Sequence, residues 1–169
     1  MAKKRTGEKS GSFLKESIEK NRALNREEEA FIKEIIKNDS LNEYYQTKSG
    51  FWSTYVTKKS ESSEVPEYSD RVSYEYSLSD ILGNEILSKE AIGKQVYLVD
   101  QSNQDLISGI REGLKLMHVG ETVKFLFPSY KAYGYYGYEN YIGPNTPLQC
   151  IITLNSIDKS KPKTDYEEN

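Results

Sequence analysis

The sequence predicts an α+β fold in which an antiparallel β-sheet packs one face against a short helix. Between residues 107 and 117, apolar side chains recur at steps of three, four and three, which is one face of a short helix, and Gly120 follows as a residue that can end it. Residues 123–127 and 148–154 have the character of strands. Residues 72–78 alternate between apolar and polar, as a sheet packed on one side requires.

A helical extension is predicted ahead of this domain, over residues 12–46. Residues 12–37 carry apolar side chains at helical spacing among Lys and Glu, and the run Asn25-Arg-Glu-Glu resembles a cap that begins a second helix. We therefore predict one broken helix or a helical pair. Its apolar stripe must be covered, and we interpret it as packing on the chain's own sheet, with a homodimer or a partner protein as alternatives. The polar segments 1–11 and 159–169 are predicted to be disordered tails.

The segment from residue 130 to residue 147 is predicted to be a binding loop for an apolar ligand. It contains six Tyr, three Gly and two Pro among eighteen residues. These are too many breakers for regular structure and too much aromatic area for a spacer.

Composition excludes several functional classes. A net charge of −3 and a pI near 5.4 leave no broad basic surface, so we expect no nucleic-acid partner. With Cys150 as the only cysteine and His118 as the only histidine, neither a zinc cluster nor a Cys/His nucleophile pair is expected, and we predict no cofactor and no metal. No stretch approaches the roughly 20 apolar residues that span a bilayer, and the chain begins without an apolar signal core.

Ordered motifs across residues 109–148 resemble those of the FKBP-type prolyl isomerases. The motifs read Gly109-x-x-x-Gly-Leu-x-x-Met-x-x-Gly-Glu, Phe127-Pro-Ser-x-x-Ala-Tyr-Gly-x-x-Gly and Ile142-x-Pro-Asn-x-x-Leu. Upstream, residues 49–56 and 72–80 resemble the first two strands of the family. The resemblance implies an FKBP-like domain over residues 49–158, with a strongly bent antiparallel sheet wrapped over one short helix and the binding site between them.

The activity implied by the resemblance is cis-trans isomerisation of proline-containing polypeptides. The bond before proline turns slowly because twisting it loses amide resonance, against a barrier of about 18–20 kcal/mol. No proton or nucleophile is needed, since an apolar pocket and a hydrogen bond to the substrate carbonyl can favour the twisted form. A site without His, Cys or metal can therefore still be an enzyme.

The resemblance also assigns the site residues. It makes Tyr133 the catalytic residue, whose hydroxyl would hold the substrate carbonyl. The substrate-binding positions are Tyr74, Ile86, Tyr97, Leu106, Ile107, Ile110, Tyr138, Tyr141 and Cys150. Three walls of the predicted pocket differ from those of the family. Ile86 and Leu87 replace a Phe-Asp pair, Ile110 replaces the tryptophan at the pocket floor, and Cys150 replaces a phenylalanine. Since small changes in apolar contact alter rates by roughly 10–200-fold, we predict weak turnover, with a non-catalytic binding or chaperone module as the alternative.

The extension joined to this divergent domain resembles the gliding-motility-associated FKBP-type lipoproteins of bacteria. Mature chains of that group begin at a lipidated cysteine, and no cysteine stands near the start of this sequence. Our hypothesis is that Met1-Ala2 replaces a signal and lipid-bearing residue. The resemblance implies a periplasmic or membrane-anchored location, with membrane contact only through that anchor, and exported or motility-related proteins as clients.

Overall fold

In the part of the chain that the structure describes, seven antiparallel strands form one sheet, with helices on both of its faces. The computed structural model describes residues 2–59, 64–101 and 105–159. In chain order the elements are α1 (Ala2–Asn38), β1 (Tyr45–Gln46), β2 (Trp52–Thr57), β3 (Arg71–Asp80), β4 (Glu85–Leu87), α2 (Lys89–Ile92), β5 (Gln95–Leu98), α3 (Ser108–Leu114), β6 (Thr122–Phe127), a 3-10 helix (Ser129–Lys131) and β7 (Leu148–Asp158). The strand order is β1-β2-β6-β7-β3-β4, and β5 also pairs with β3. The predicted α+β class is confirmed.

The main core lies between α3 and the inner face of the sheet. Ile110 and Leu114 of α3 are fully buried among apolar side chains of β3, β6 and β7. Gly113 allows the close approach, because a Cβ atom there would lie only 2.9 Å from the Phe125 ring. The helix therefore rests directly on the aromatic side chains of β6.

The predicted strands 72–78, 123–127 and 148–154 lie within β3, β6 and β7. In the structure β7 is longer than predicted, and its last residue, Asp158, pairs with Arg71 at the start of β3. The sequence did not predict β4, α2 or β5, which have three, four and four residues. Elements this short show too little periodicity to be recognised from sequence.

The C-terminal half of α1 packs on the outer face of the sheet. Ile32 is fully buried and forms a second apolar cluster with Trp52 of β2, Leu126 of β6 and Ile81, which follows β3. Packing of the helical stripe on the chain's own sheet is therefore confirmed for this half. In the N-terminal half, by contrast, Phe13 is 70% exposed.

The predicted break within the extension is wrong, because α1 is one continuous helix of 37 residues. Asn25 lies in its interior instead of capping a second helix, since the Arg and Glu residues that follow it are strong helix formers. The helical backbone also begins at Ala2, within the segment 1–11 that the sequence predicts as a tail. Beyond Lys159, the predicted C-terminal tail lies outside the described residues.

The segment between β6 and β7 is mostly irregular, as its many glycines and prolines predict. Its regular pieces are the 3-10 helix and one isolated bridge between Tyr138 and Ile142. Gly137 enters this bridge with a φ of +66°, and a Cβ atom there would collide with the Ile142 carbonyl. A glycine is therefore required at the point where the loop turns back.

Candidate functional site

A cavity of about 430 Å³ lies beside the start of α3 and the irregular loop after the 3-10 helix. It is lined by Tyr76, Asp105, Leu106, Ile107, Ala132, Tyr133, Gly137 and Tyr138. Leu106 and Ile107 come from the turn that leads into α3, Tyr76 comes from β3, and the remaining apolar and tyrosine side chains come from the loop. This cavity is the candidate site.

Tyr133 presents a protonated hydroxyl at the candidate site. Its ring is half-buried and stacks on the Tyr138 ring, with centroids 4.8 Å apart and planes 12° from parallel. Burial raises the pKa of the Tyr133 phenol well above its usual value, with smaller contributions from neighbouring groups that include Tyr76. Among the residues that the structure describes, none forms a hydrogen bond with this hydroxyl. It is therefore available as a donor to a ligand carbonyl.

Backbone hydrogen bonds to Ser129 fix the position of Tyr133. The Ser129 carbonyl accepts a hydrogen bond from the Ala132 amide at 3.0 Å and from the Gly134 amide at 2.9 Å. These two amides flank Tyr133 in the chain. The 3-10 helix thus holds the backbone on both sides of the tyrosine.

A second cavity of about 350 Å³ lies on the other side of Tyr76 and Tyr138, which line both cavities. Its other lining residues include Leu78, Leu87, Ile92 and Tyr141. The two shared tyrosines form a partition between the cavities. Burial, above all, raises the pKa of Tyr76 to about 12, which reflects its position among packed side chains.

Sequence reasoning missed Tyr76 and Asp105 as lining residues. The signal for Tyr76 was present, because the alternation along β3 puts it on the same face as Tyr74. Asp105 brings a carboxyl group to the cavity and contributes to the raised pKa of Tyr133. Its position directly before Leu106 was the only sequence signal, and it is not a family motif position.

No combination of described residues offers a metal site, since nowhere do three or more His, Cys, Asp or Glu side chains group suitably. No described helix is both long enough and apolar enough to cross a membrane. The candidate site therefore consists of phenol, carboxyl and apolar groups, which can desolvate a ligand and donate hydrogen bonds to it.

The family profile described as FKBP-type peptidyl-prolyl cis-trans isomerase matches residues 62–155, more than half of the chain. The chain belongs to this family. The matched segment contains both cavities described above.

Solved structures of two FKBP-like proteins are similar to this chain. A peptidyl-prolyl cis-trans isomerase from Pseudomonas syringae superposes with a TM-score of 0.63 at 24% identity, covering 82% of this chain and 96% of that one. FkpA from Escherichia coli superposes with a TM-score of 0.63 at 25% identity, covering 85% of this chain and 63% of its own. Both likenesses confirm the FKBP-like fold. No curated protein matches the sequence significantly.

Five of the ten family-derived site residues reach the two cavities of the FKBP domain. Tyr133, Leu106, Ile107 and Tyr138 line the candidate site, and Tyr141 lines the second cavity. The motif order therefore brings together residues that are up to 35 positions apart in the chain.

Ile86 does not line either cavity, and its neighbour Leu87 does so instead. Ile86 is half-buried against the core. Of the two residues that replace the family's Phe-Asp pair, the second therefore lines a cavity and the first does not. Leu87 offers no carboxyl group there, and the one carboxyl group of β4, that of Glu85, is exposed and lines neither cavity.

The other four predicted residues lie below the cavity surface. Tyr74 and Tyr97 are 2% exposed, whereas Ile110 and Cys150 are fully buried, and none lines either cavity. Tyr76 explains part of this, because its ring stacks on Tyr74 at a centroid distance of 5.8 Å. The Tyr97 hydroxyl accepts a hydrogen bond from the Asp100 amide. Burial raises the pKa of the Cys150 thiol, which keeps the sulfur protonated and unreactive.

A larger cavity, of about 600 Å³, lies elsewhere on the molecule. It is lined mainly by the segment around β1 and β2, including Tyr45, Phe51 and Tyr55, and by Leu116 after α3. It shares no residue with the candidate site. Because Tyr133 and the family motifs lie at the smaller cavity, we identify that cavity as the candidate site.

Proposed function

We propose that the protein is a peptidyl-prolyl cis-trans isomerase with weak activity on proline-containing polypeptides. One observation carries the proposal. The Tyr133 hydroxyl forms no hydrogen bond with any described residue, and it lies at a cavity whose wall includes Leu106 and Ile107. The proline ring would lie against the apolar wall, and the hydroxyl would hold the carbonyl that precedes the ring.

The proposed mechanism uses desolvation and one hydrogen bond. Removing water from the imide disfavours its planar, charge-separated form, and the cavity shape selects the twisted form. Tyr133 donates to the carbonyl oxygen in that form, and its raised pKa keeps the proton in place. No covalent bond forms or breaks, so no acid, base or metal is required.

The partition formed by Tyr76 and Tyr138 supports the proposal that turnover is weak. It divides the available volume into parts of about 430 and 350 Å³. A bound proline would contact fewer apolar groups than in an undivided pocket. Ile110 and Cys150 would not be among those groups, because both are fully buried in the core. Each lost contact reduces transition-state stabilisation.

The clients in this proposal are exported or motility-related proteins, met in the periplasm or at a membrane through a lipid anchor. The resemblance of the helical extension and its divergent domain to gliding-motility lipoproteins supports this. Phe13, Leu14 and Ile18 form an exposed apolar row on α1, which supports a contact with a second copy or a partner. Sedimentation would test that contact, since an Ile18→Glu change should convert a dimer to monomer.

Tyr133→Phe tests the proposed mechanism. Losing one hydrogen bond of about 1 kcal/mol should lower kcat/KM roughly fivefold in a proline-limited refolding assay. Tyr136→Phe is the matched control, because Tyr136 is in the same loop but 91% exposed, and it should leave the rate unchanged. Equal rates for the wild type and Tyr133→Phe would refute the role of Tyr133.

A binding module without useful turnover is the second candidate. The exposed ring of Tyr141 favours it, because it extends the aromatic lining of the second cavity to the surface. Such a surface could hold an unfolded chain or a partner in a membrane-associated complex. Refolding kinetics that stay unchanged at high protein concentration, together with measurable binding of a proline peptide, would establish this alternative.

A further inference from the structure

Glu28 of α1 accepts two buried hydrogen bonds from Ser129, at the start of the segment that carries Tyr133. Its side chain is 7% exposed, and the Ser129 residue that it meets is 2% exposed. Glu28 Oε2 accepts a hydrogen bond from the Ser129 backbone amide at 2.8 Å, and Oε1 accepts one from the Ser129 Oγ at 2.6 Å. The two residues are 101 positions apart, so this contact exists only because α1 lies across the sheet.

Ser129 also hydrogen-bonds to the backbone around Tyr133. While its amide and hydroxyl bind Glu28, its carbonyl accepts hydrogen bonds from the amides of Ala132 and Gly134. One residue therefore connects the helical extension to both neighbours of the tyrosine. The Ser129 side chain cannot turn away without breaking the hydrogen bond to Glu28.

The position of Glu28 is itself fixed by the packing of α1. Ile32 lies one helical turn further along and is fully buried in the outer cluster with Trp52 and Leu126. A carboxylate held in this way forms hydrogen bonds that are shorter and stronger than those between neutral groups. The contact from Tyr130 Oη to Glu29 Oε1 is longer, at 3.3 Å, and exposed.

We propose that Glu28 is a positioning residue for Tyr133. Through Ser129, its carboxylate fixes the 3-10 helix and thereby the direction of the Tyr133 hydroxyl at the cavity. The catalytic consequence rests on the function proposed above, whereas the effect on loop structure does not. The helical extension is on this account a part of the site.

The test compares Glu28→Gln with Glu27→Gln in the full chain. Glutamine keeps the shape but removes the negative charge, and its Nε2 can only donate. Both charge-assisted hydrogen bonds are therefore replaced by weaker neutral ones, and the one to Ser129 Oγ must reverse its direction. Glu27 is exposed on the same helical turn and provides the matched control. We expect amide hydrogen exchange at Ala132 and Gly134 to accelerate about tenfold in Glu28→Gln and to stay unchanged in Glu27→Gln.

A purely structural role for Glu28 would give a different pattern. If it only anchors α1, exchange should accelerate equally at the core amides of β3 and β7, and that result would overturn the proposal. Unchanged exchange at Ala132 and Gly134 in folded Glu28→Gln would overturn it as well. Ser129→Ala provides a second route, because it removes only the hydroxyl arm. It should accelerate the same two amides by a smaller factor, and no acceleration there would contradict the proposal.

Isomerase kinetics separate this inference from the proposed function. In an active wild type, Glu28→Gln should lower kcat more than it raises KM, because the hydroxyl is misdirected while the apolar wall stays intact. A wild type that neither isomerises nor binds proline peptides would refute the proposed function, and faster exchange at Ala132 and Gly134 would still support the positioning role. An active wild type with unchanged kcat and exchange in Glu28→Gln would refute only the positioning role.

Discussion

At the scale of single residues, Tyr76 has the largest effect on the shape of the site. It lies on the inner face of β3, stacks on Tyr74 and separates the two cavities together with Tyr138. A smaller side chain at this position would leave the cavities continuous. The weak activity proposed here therefore depends on one side chain that the family motifs do not include.

Tyr76→Ala should join the cavities and raise kcat/KM for proline peptides by roughly tenfold, since added apolar contact is worth about 1–3 kcal/mol. The same change should destabilise the fold by about 2–4 kcal/mol, because it removes a large, packed side chain. Isomerase assays and urea unfolding measure the two effects. Tyr68→Ala is the control, because Tyr68 is exposed and lines neither cavity. A lower kcat/KM in folded Tyr76→Ala would contradict the partition.

The sequence predicted only part of the site, for reasons that differ between residues. Tyr133, Leu106 and Ile107 follow from the order of motifs, because these motifs fix which loop meets which end of the helix. The depths of Ile110 and Cys150 do not follow, because motif position does not give the distance from a side chain to a cavity. That distance depends on which side chains pack over the residue, and both of these residues are fully buried in the main core.

At the scale of elements, α1 shows what a helical spacing of apolar residues can predict and what it cannot. The spacing of apolar residues over 12–37 correctly indicated a helix and its packing on the sheet through Ile32. The predicted break at Asn25 is wrong, because a cap-like run has the same composition as a continuous helix rich in Glu and Arg. Contact with Ser129 was not predictable, since it depends on where α1 crosses the sheet.

Ile32→Ala should lower the free energy of unfolding by about 2–4 kcal/mol, because it opens a cavity in the outer cluster with Trp52 and Leu126. Ile18→Ala removes the same atoms from a half-exposed position of the same helix and should change stability by less than about 0.5 kcal/mol. Urea unfolding measures both. Equal effects would mean that the C-terminal half of α1 does not contribute to the stability of the domain.

At the scale of the whole molecule, buried tyrosines make stability depend on alkaline pH. Burial raises the pKa of Tyr74, Tyr76 and Tyr133 in the folded state, that of Tyr76 to about 12, above the ordinary tyrosine value near 10. Above pH 10 the unfolded chain therefore loses protons that the folded chain keeps. Stability is fully present below pH 10 and falls as the pH rises further.

The urea midpoint should accordingly decrease between pH 10 and pH 11.5. Tyr76→Phe removes one of the responsible groups and should make this decrease shallower, whereas Tyr136→Phe, at an exposed position, should not. The comparison is made between slopes rather than absolute midpoints, so that any constant effect of each substitution cancels. Identical slopes in all three proteins would refute the contribution of Tyr76.

Most of the fold was predictable because its long strands and α3 carry clear periodicity within family motifs. The strand order β1-β2-β6-β7-β3-β4 could not be predicted, since pairing between distant strands depends on contacts that no local pattern contains. The shortest elements could not be predicted from the sequence either, because tertiary packing rather than intrinsic propensity determines them.

The outermost strands of the sheet have a further consequence for the proposed binding of polypeptides. On one side the sheet ends with the two residues of β1, and on the other with the three of β4 and the four of β5. Unpaired backbone groups at the rim of a sheet act as templates for the addition of foreign strands, and short rims limit such growth. If unfolded polypeptides are the ligands, as proposed, these short rims limit their addition to the sheet as extra strands.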